Sequence, residues 1–115
     1  MRHWGEEPRP ALDFLILTVF DVVTKNMTIE FDEAKRAATL VARGLDMARA
    51  GEVFAGATLT VEDDRQDYGE ERFITIGFLD AAMVVLVWTP RGDAYRIISM
   101  RKANERERAL YTPRF

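Results

Sequence analysis

The chain has 115 residues, 48% hydrophobic and 30% charged, with a net charge of −3. That fits one domain with one core and argues against a surface coated in basic charge. There is no cysteine and only one histidine, His3, so disulfides, thiolate catalysis, Cys-based zinc sites and His-rich metal sites are excluded. The average charge hides a split: residues 27–90 carry 6 basic and 12 acidic side chains, residues 91–115 carry 7 and 3. A basic C-terminal quarter on an acidic body points to a local site or a charged protein partner.

Residues 1–26 read differently from the rest. A polar, Pro-broken start leads into the apolar stretch Ala11–Val23, which Asp13 and Asp21 interrupt. The stretch is too short for a membrane span and lacks the flanks of a secretory signal. It reads as an extra packed element, a partner-binding arm, or an upstream extension with Met27 as the natural start. The last is preferred, because the organised domain, residues 27–115, begins there.

Thr28–Phe31 predicts a short strand. Asp32 caps a helix to about Arg43, with Ala34, Ala37, Ala38, Leu40 and Val41 as its apolar positions and Gly44 as its stop. Asp46 caps a second helix that ends with Val53 and Phe54. Strands follow at Ala57–Val61 and, after an acidic loop, at Arg72–Leu79. Met83–Thr89 is so continuously apolar that it should be the central strand. Pro90–Asp93 turns the chain into Ala94–Met100, which returns antiparallel. Asn104 and Glu107 form a capping box for a final helix. The expected fold is α+β, with two N-terminal helices and a C-terminal helix on one face of an antiparallel meander.

The polar residues expected to converge are Glu70, Arg72, Thr89, Arg91, Arg96, Ser99, Arg101, Lys102 and Tyr111. The open sheet face would gather Arg72, Arg96 and Arg101 around one phosphate, whose oxygens match guanidinium forks. A solvated charged face is the plainer reading, with Glu70–Arg72 and Arg96–Glu107 as ion pairs that fix loops. No Gly-rich phosphate loop, Gly-x-Ser-x-Gly elbow or histidine base is present. Asp63–Asp64 reads as a solvated loop and Trp88 as core, leaving Tyr95 and Tyr111 as the better stacking candidates.

Several motifs in order carry a family resemblance. They are Glu30-Phe31-Asp32-x-x-Lys35, Ala50-x-x-Val53-Phe54, Gly69-Glu70-Glu71-Arg72-Phe73 and Val87-Trp88-Thr89-x-Arg91. The most specific is Arg96-Ile97-Ile98-Ser99-x-Arg101-Lys102-Ala103, followed by Glu107-Arg108 and Tyr111. From Ile29 to Tyr111 the chain resembles the BrnT-type toxins of bacterial type II toxin–antitoxin modules. The resemblance implies a RelE-like fold and a metal-independent, cofactor-free ribonuclease that cleaves RNA, inhibits translation and resides in the cytoplasm. Its partner would be a ribbon-helix-helix (BrnA-like) antitoxin in a hetero-oligomer, with operator DNA contacted only through the antitoxin and no membrane association.

The chain departs from the family pattern where Asn-x-x-Lys-His-Gly is usual and Thr39-Leu-Val-Ala42-Arg43-Gly44 stands instead. Phe31 replaces Trp, and Met100 replaces a small residue. Without that histidine, Glu70 or a solvent-assisted group is the candidate base, since arginine stays protonated at working pH. Arg72, Arg91, Arg96 and Arg101 would stabilise the phosphoryl charge, and Lys102 or Tyr111 would assist proton donation. The competing expectation is an inactive, toxin-like module that binds an antitoxin. A small RNA-binding module is a third.

Overall fold

A computed structural model describes residues 28–115. The readings made for residues 1–26 lie outside the described residues. A five-stranded sheet organises the domain: β1 (Thr28–Glu30), β2 (Leu59–Glu62), β3 (Phe73–Leu79), β4 (Ala82–Arg91) and β5 (Ala94–Lys102), in the order β1-β5-β4-β3-β2. The apolar Met83–Thr89 stretch does form the centre of the sheet. The four strands from β2 to β5 pair antiparallel, but β1 pairs in parallel with β5, opposite Ala94–Arg96. The sheet is therefore mixed. The first strand is followed by a helix and cannot return as a hairpin, so it joins the far edge by a long crossover.

The helices are α1 (Glu33–Arg43), α2 (Ala50–Ala55, entered through a 3-10 turn at Met47–Arg49) and α3 (Glu105–Tyr111). Asp32 caps α1 and Gly44 closes it at φ 70°, a left-handed position that suits glycine. The Asn104–Glu107 capping box on α3 is complete. The helices do not share one face. Met47, Ala50, Val53 and Phe54 pack with Val84, Leu86, Trp88, Tyr95, Ile97 and Met100. On the other face Tyr111, at the end of α3, packs against a separate cluster that includes Ile74, Ile76 and Val85. Strict alternation along β4 divides its side chains between two layers, and each layer needs its own cover.

Helix α1 reverses its expected orientation, and none of its residues is buried. Lys35 Nζ donates to the Ile98 carbonyl, Arg43 donates to the Met100 carbonyl at 2.8 Å, and Arg36 forms a bidentate pair with Asp46 at 2.7 and 3.0 Å. These cations face the body, while Val41 stays 88% exposed and Leu40 43%. The cause is the sheet edge: β1 covers β5 only as far as Arg96, and α1 brings donors to the carbonyls beyond it.

The β3–β4 hairpin turns on Asp80 and Ala81, both at positive φ (51° and 69°), the pattern of a type I′ turn. Arg49 holds the Asp80 carboxylate at 2.7 and 2.8 Å. Behind β3, Gly77 leaves room for Val53, because a Cβ there would lie 2.7 Å from Val53 Cγ1.

Candidate functional site

The site is built by one irregularity. Between β4 and β5 the register shifts at Val87/Trp88, so Ser99 lies opposite Val87 and Ile97 opposite Trp88, leaving Ile98 without a partner. In a regular strand Arg96 and Arg101, five residues apart, would point to opposite faces. The extra residue resets the alternation. Ile97 and Met100 both enter the α2 core, and Arg96, Ser99 and Arg101 come to the opposite face.

On that face a cleft of about 460 Å³ opens between the sheet and α3. Its floor is Ile74, Ile76, Val85 and Val87, and its polar walls include Arg65, Arg101, Arg106 and Tyr111. Arg101 makes a bidentate pair with Glu107 at 2.8 and 2.9 Å. The Glu107 bond raises the Arg101 pKa above its ordinary value, and the Arg101 bond in turn holds the Glu107 carboxyl below its own. Arg65 is near enough to Arg101 for the two charges to repel.

A second polar row crosses the same face where the strands meet the acidic loop. Arg96 lies opposite Thr89 on one side and Glu30 on the other, with Arg96 3.7 Å from the Glu30 carboxylate. Arg72, next in register beyond the Phe73–Trp88 pair, stands 3.5 Å from Glu70, and Arg91 stands 4.0 Å from the other Glu70 oxygen. Glu70 thus bridges two arginines. The Arg72 Nε is buried and makes no hydrogen bond among the described residues, while its guanidinium lies 4.0 Å from the centre of the Tyr68 ring. Thr89 is buried, and its hydroxyl donates to the Glu71 carbonyl at 2.6 Å.

Thr89 and Val85 mark the rows that hold Arg96 and Arg101, four residues or about 13 Å apart along β4. The arginines therefore stand along a line rather than around one point. That spacing suits a chain of negative charges better than one isolated anion. Lys102 lies opposite Val84, whose side chain enters the α2 core, so the register puts Lys102 on the other face from Arg101. The expected Arg96–Glu107 pair does not form, because Glu107 is taken by Arg101 and Arg96 by Glu30.

Two further expectations are corrected. Tyr95 is no open platform: it is buried, stacked on Trp88 at 4.2 Å and 3°, and burial pushes its phenol pKa up. Trp88 is core as expected, with its indole N–H donating to Thr75 at 2.8 Å. Asp63 is not solvated. It is 4% exposed and accepts two bonds from the Arg65 guanidinium, at 2.7 and 2.8 Å, and one from the Tyr68 hydroxyl at 3.3 Å. A run of carboxylates hid this Asp63-x-Arg65 pair, and Arg65 was not among the expected site residues. Among the described residues there is no group of three or more His, Cys, Asp or Glu placed to hold a metal ion. No helix among them is long and apolar enough to cross a membrane.

Compared with individual curated proteins, the chain gives no significant match. The family described as "Ribonuclease toxin, BrnT, of type II toxin-antitoxin system" matches residues 31–107. That span holds α1, α2, every strand from β2 to β5 and the start of α3, so the face that carries Glu70, Arg72, Arg91, Arg96 and Arg101 falls inside it. The chain belongs to the BrnT family of type II toxin–antitoxin ribonuclease toxins.

Proposed function

We propose that the protein is an active endoribonuclease toxin that binds single-stranded RNA along the cationic face and cleaves it by attack of the 2′-hydroxyl on the adjacent phosphate. The observation that carries this reading is the line of arginines from Arg72 and Arg96 to Arg101, brought to one face by the bulge at Ile98. Glu70, between Arg72 and Arg91, takes the hydroxyl proton. The arginines hold the phosphoryl oxygens as charge develops; loss of one such contact costs about 10²–10³ in rate. The leaving 5′-oxygen takes its proton from water, because Tyr111 lines the cleft beside Arg101, in the other row from Glu70, and Lys102 lies on the opposite face. In this reading the fold is RelE-like, translation stops when RNA is cut, and a ribbon-helix-helix antitoxin neutralises the toxin.

A second reading, a toxin-like module without activity, is favoured by one observation. Arg43 stands where the family usually has histidine, and its guanidinium is committed to the Met100 carbonyl. Inducible expression of the full chain in a bacterial host separates the two, beside an Arg96→Ala, Arg101→Ala double variant. Growth arrest by the parent and not by the folded variant is expected. Arrest by both would keep the toxin and reject these residues, and harmless expression of a folded parent would favour the inactive module.

A further inference from the structure

We infer that Asp63 is a positioning residue for two of the cations on this face, holding Arg65 directly and Arg72 through Tyr68, without touching RNA itself. The inference rests on the reading of the face as an RNA-binding surface.

Asp63 has a side chain with no exposed area, an unusual setting for a carboxylate in a loop. It is anchored from behind, because its backbone N–H donates to the Arg72 carbonyl at 2.8 Å and extends the β2–β3 pairing. Its two oxygens then do separate work. Together they hold the Arg65 fork, which keeps that guanidinium on the wall of the cleft. One of them also accepts from the Tyr68 hydroxyl, and the Tyr68 ring lies against the Arg72 guanidinium. A single carboxylate therefore orients a cation in each of the two polar rows. Burial pushes the Asp63 carboxyl up, but its bonds from Arg65 and Tyr68 outweigh burial and leave it below the usual carboxylate range.

Free arginine side chains lose rotamer entropy when they meet a phosphate. Arginines already held on a rigid neighbour have lost it beforehand, so more of the contact energy appears as affinity. The geometry also separates position from charge. Lysine at position 65 would keep the charge but cannot form a bidentate bond with Asp63.

The test measures binding of a 2′-O-methylated oligoribonucleotide, which cannot be cleaved, across a range of salt concentrations. Full-length Arg65→Ala, Arg65→Lys, Arg72→Ala and Asp63→Asn proteins are compared with the parent, each with a thermal melt. Arg65→Ala and Arg72→Ala should each weaken binding about tenfold and flatten the log–log salt slope by about 0.7, the value for one lost contact on a single strand. Asp63→Asn should flatten it by more than either, about 1.4, because two contacts lose their register. Arg65→Lys should resemble Arg65→Ala. This last comparison decides the matter even if Asp63→Asn does not fold. If Arg65→Lys binds like the parent, or folded Asp63→Asn keeps the parent's slope while the alanine variants lose theirs, the positioning role is wrong and the RNA-binding face stands. If all four folded variants bind like the parent, the RNA-binding reading itself has failed, and the positioning role with it.

Discussion

Replacing Glu107 by glutamine should make the protein less stable and a better RNA binder, two effects of opposite sign from one atom change. Glu107 accepts two bonds from Arg101, and its Oε1 also accepts from the Asn104 backbone N–H at 2.9 Å. Glutamine keeps an Oε1 for Asn104 and for one guanidinium nitrogen, so the capping box survives. What is lost is the second guanidinium contact and the charge. The side chains are 43% and 24% exposed, so water screens the pair and the loss should be about 0.5–1 kcal/mol, a fall of a few degrees in Tm. Arg101 keeps that one bond and with it its place, so at this partly exposed pair the repulsion between the carboxylate and a phosphate seated on Arg101 outweighs the order lost. Asp63 differs, because its side chain is fully buried and orients two cations at once. At a separation of about 7 Å that repulsion is about 0.6 kcal/mol in bulk water and about 2.4 kcal/mol at an effective dielectric of 20. Its removal should tighten binding of an uncleavable oligoribonucleotide at least about threefold at low salt, and less as salt rises. Arg101→Ala should weaken it. Titration at two ionic strengths, beside thermal melts, reads both effects. An affinity unchanged or lowered by Glu107→Gln, with Tm falling as expected, would show that Arg101 serves only to hold α3 on the sheet.

Two further outcomes concern the frame that carries the face. Arg43→Ala should lower stability by about 1–2 kcal/mol, because the Met100 carbonyl on β5 loses a charged donor, whereas Val41→Ser, at a site 88% exposed, should stay within about 0.5 kcal/mol; denaturant melts that rank them the other way would refute the inverted role given to α1. Stability should also fall as pH drops from about 4.5 to 2, since Arg36 holds the Asp46 carboxyl at about 2 and Arg101 holds Glu107 low. Depressed carboxylates stabilise the fold above their unfolded pKa and lose that contribution as pH falls through the folded one. Asp46→Asn retains the cap on Ala48 but not the titration. Its melting temperature should therefore decline less over that window, and a decline parallel to the parent's would sink the assignment.

Much of the fold was legible because local signals and the two-layer pattern agree. The Asp32 and Asn104 caps, the Gly44 stop and the apolar β4 each follow from one short stretch of sequence. The position of β1 did not, because parallel pairing to the far edge depends on contacts more than 60 residues away. Helix α1 misled for a physical reason. Its alanines and Val41 supply a helical apolar period, but its place beside β5 is set by carbonyls that need donors. The polar stripe of Lys35, Arg36 and Arg43 therefore turns inward.

The site was legible as a list of residues and not as a shape. Alternation alone separates Arg96 from Arg101, and only the unpartnered Ile98 returns them to one face; no residue in Arg-Ile-Ile-Ser-Met-Arg announces a bulge, since neither glycine nor proline marks it. The same gap hid Asp63, because a carboxylate among carboxylates looks solvated until the strand pairing that buries it is known. Position 43 shows how composition and geometry differ in what they exclude. In the sequence, arginine there reads as a lost catalytic histidine, yet the side chain closes the edge of the strand that carries Arg96 and Arg101. A histidine substituted at position 43 would have to give up that bond to act in proton transfer, so the chemistry proposed for this chain is assigned to Glu70 and the arginine line, with Arg43 left to hold β5 in place.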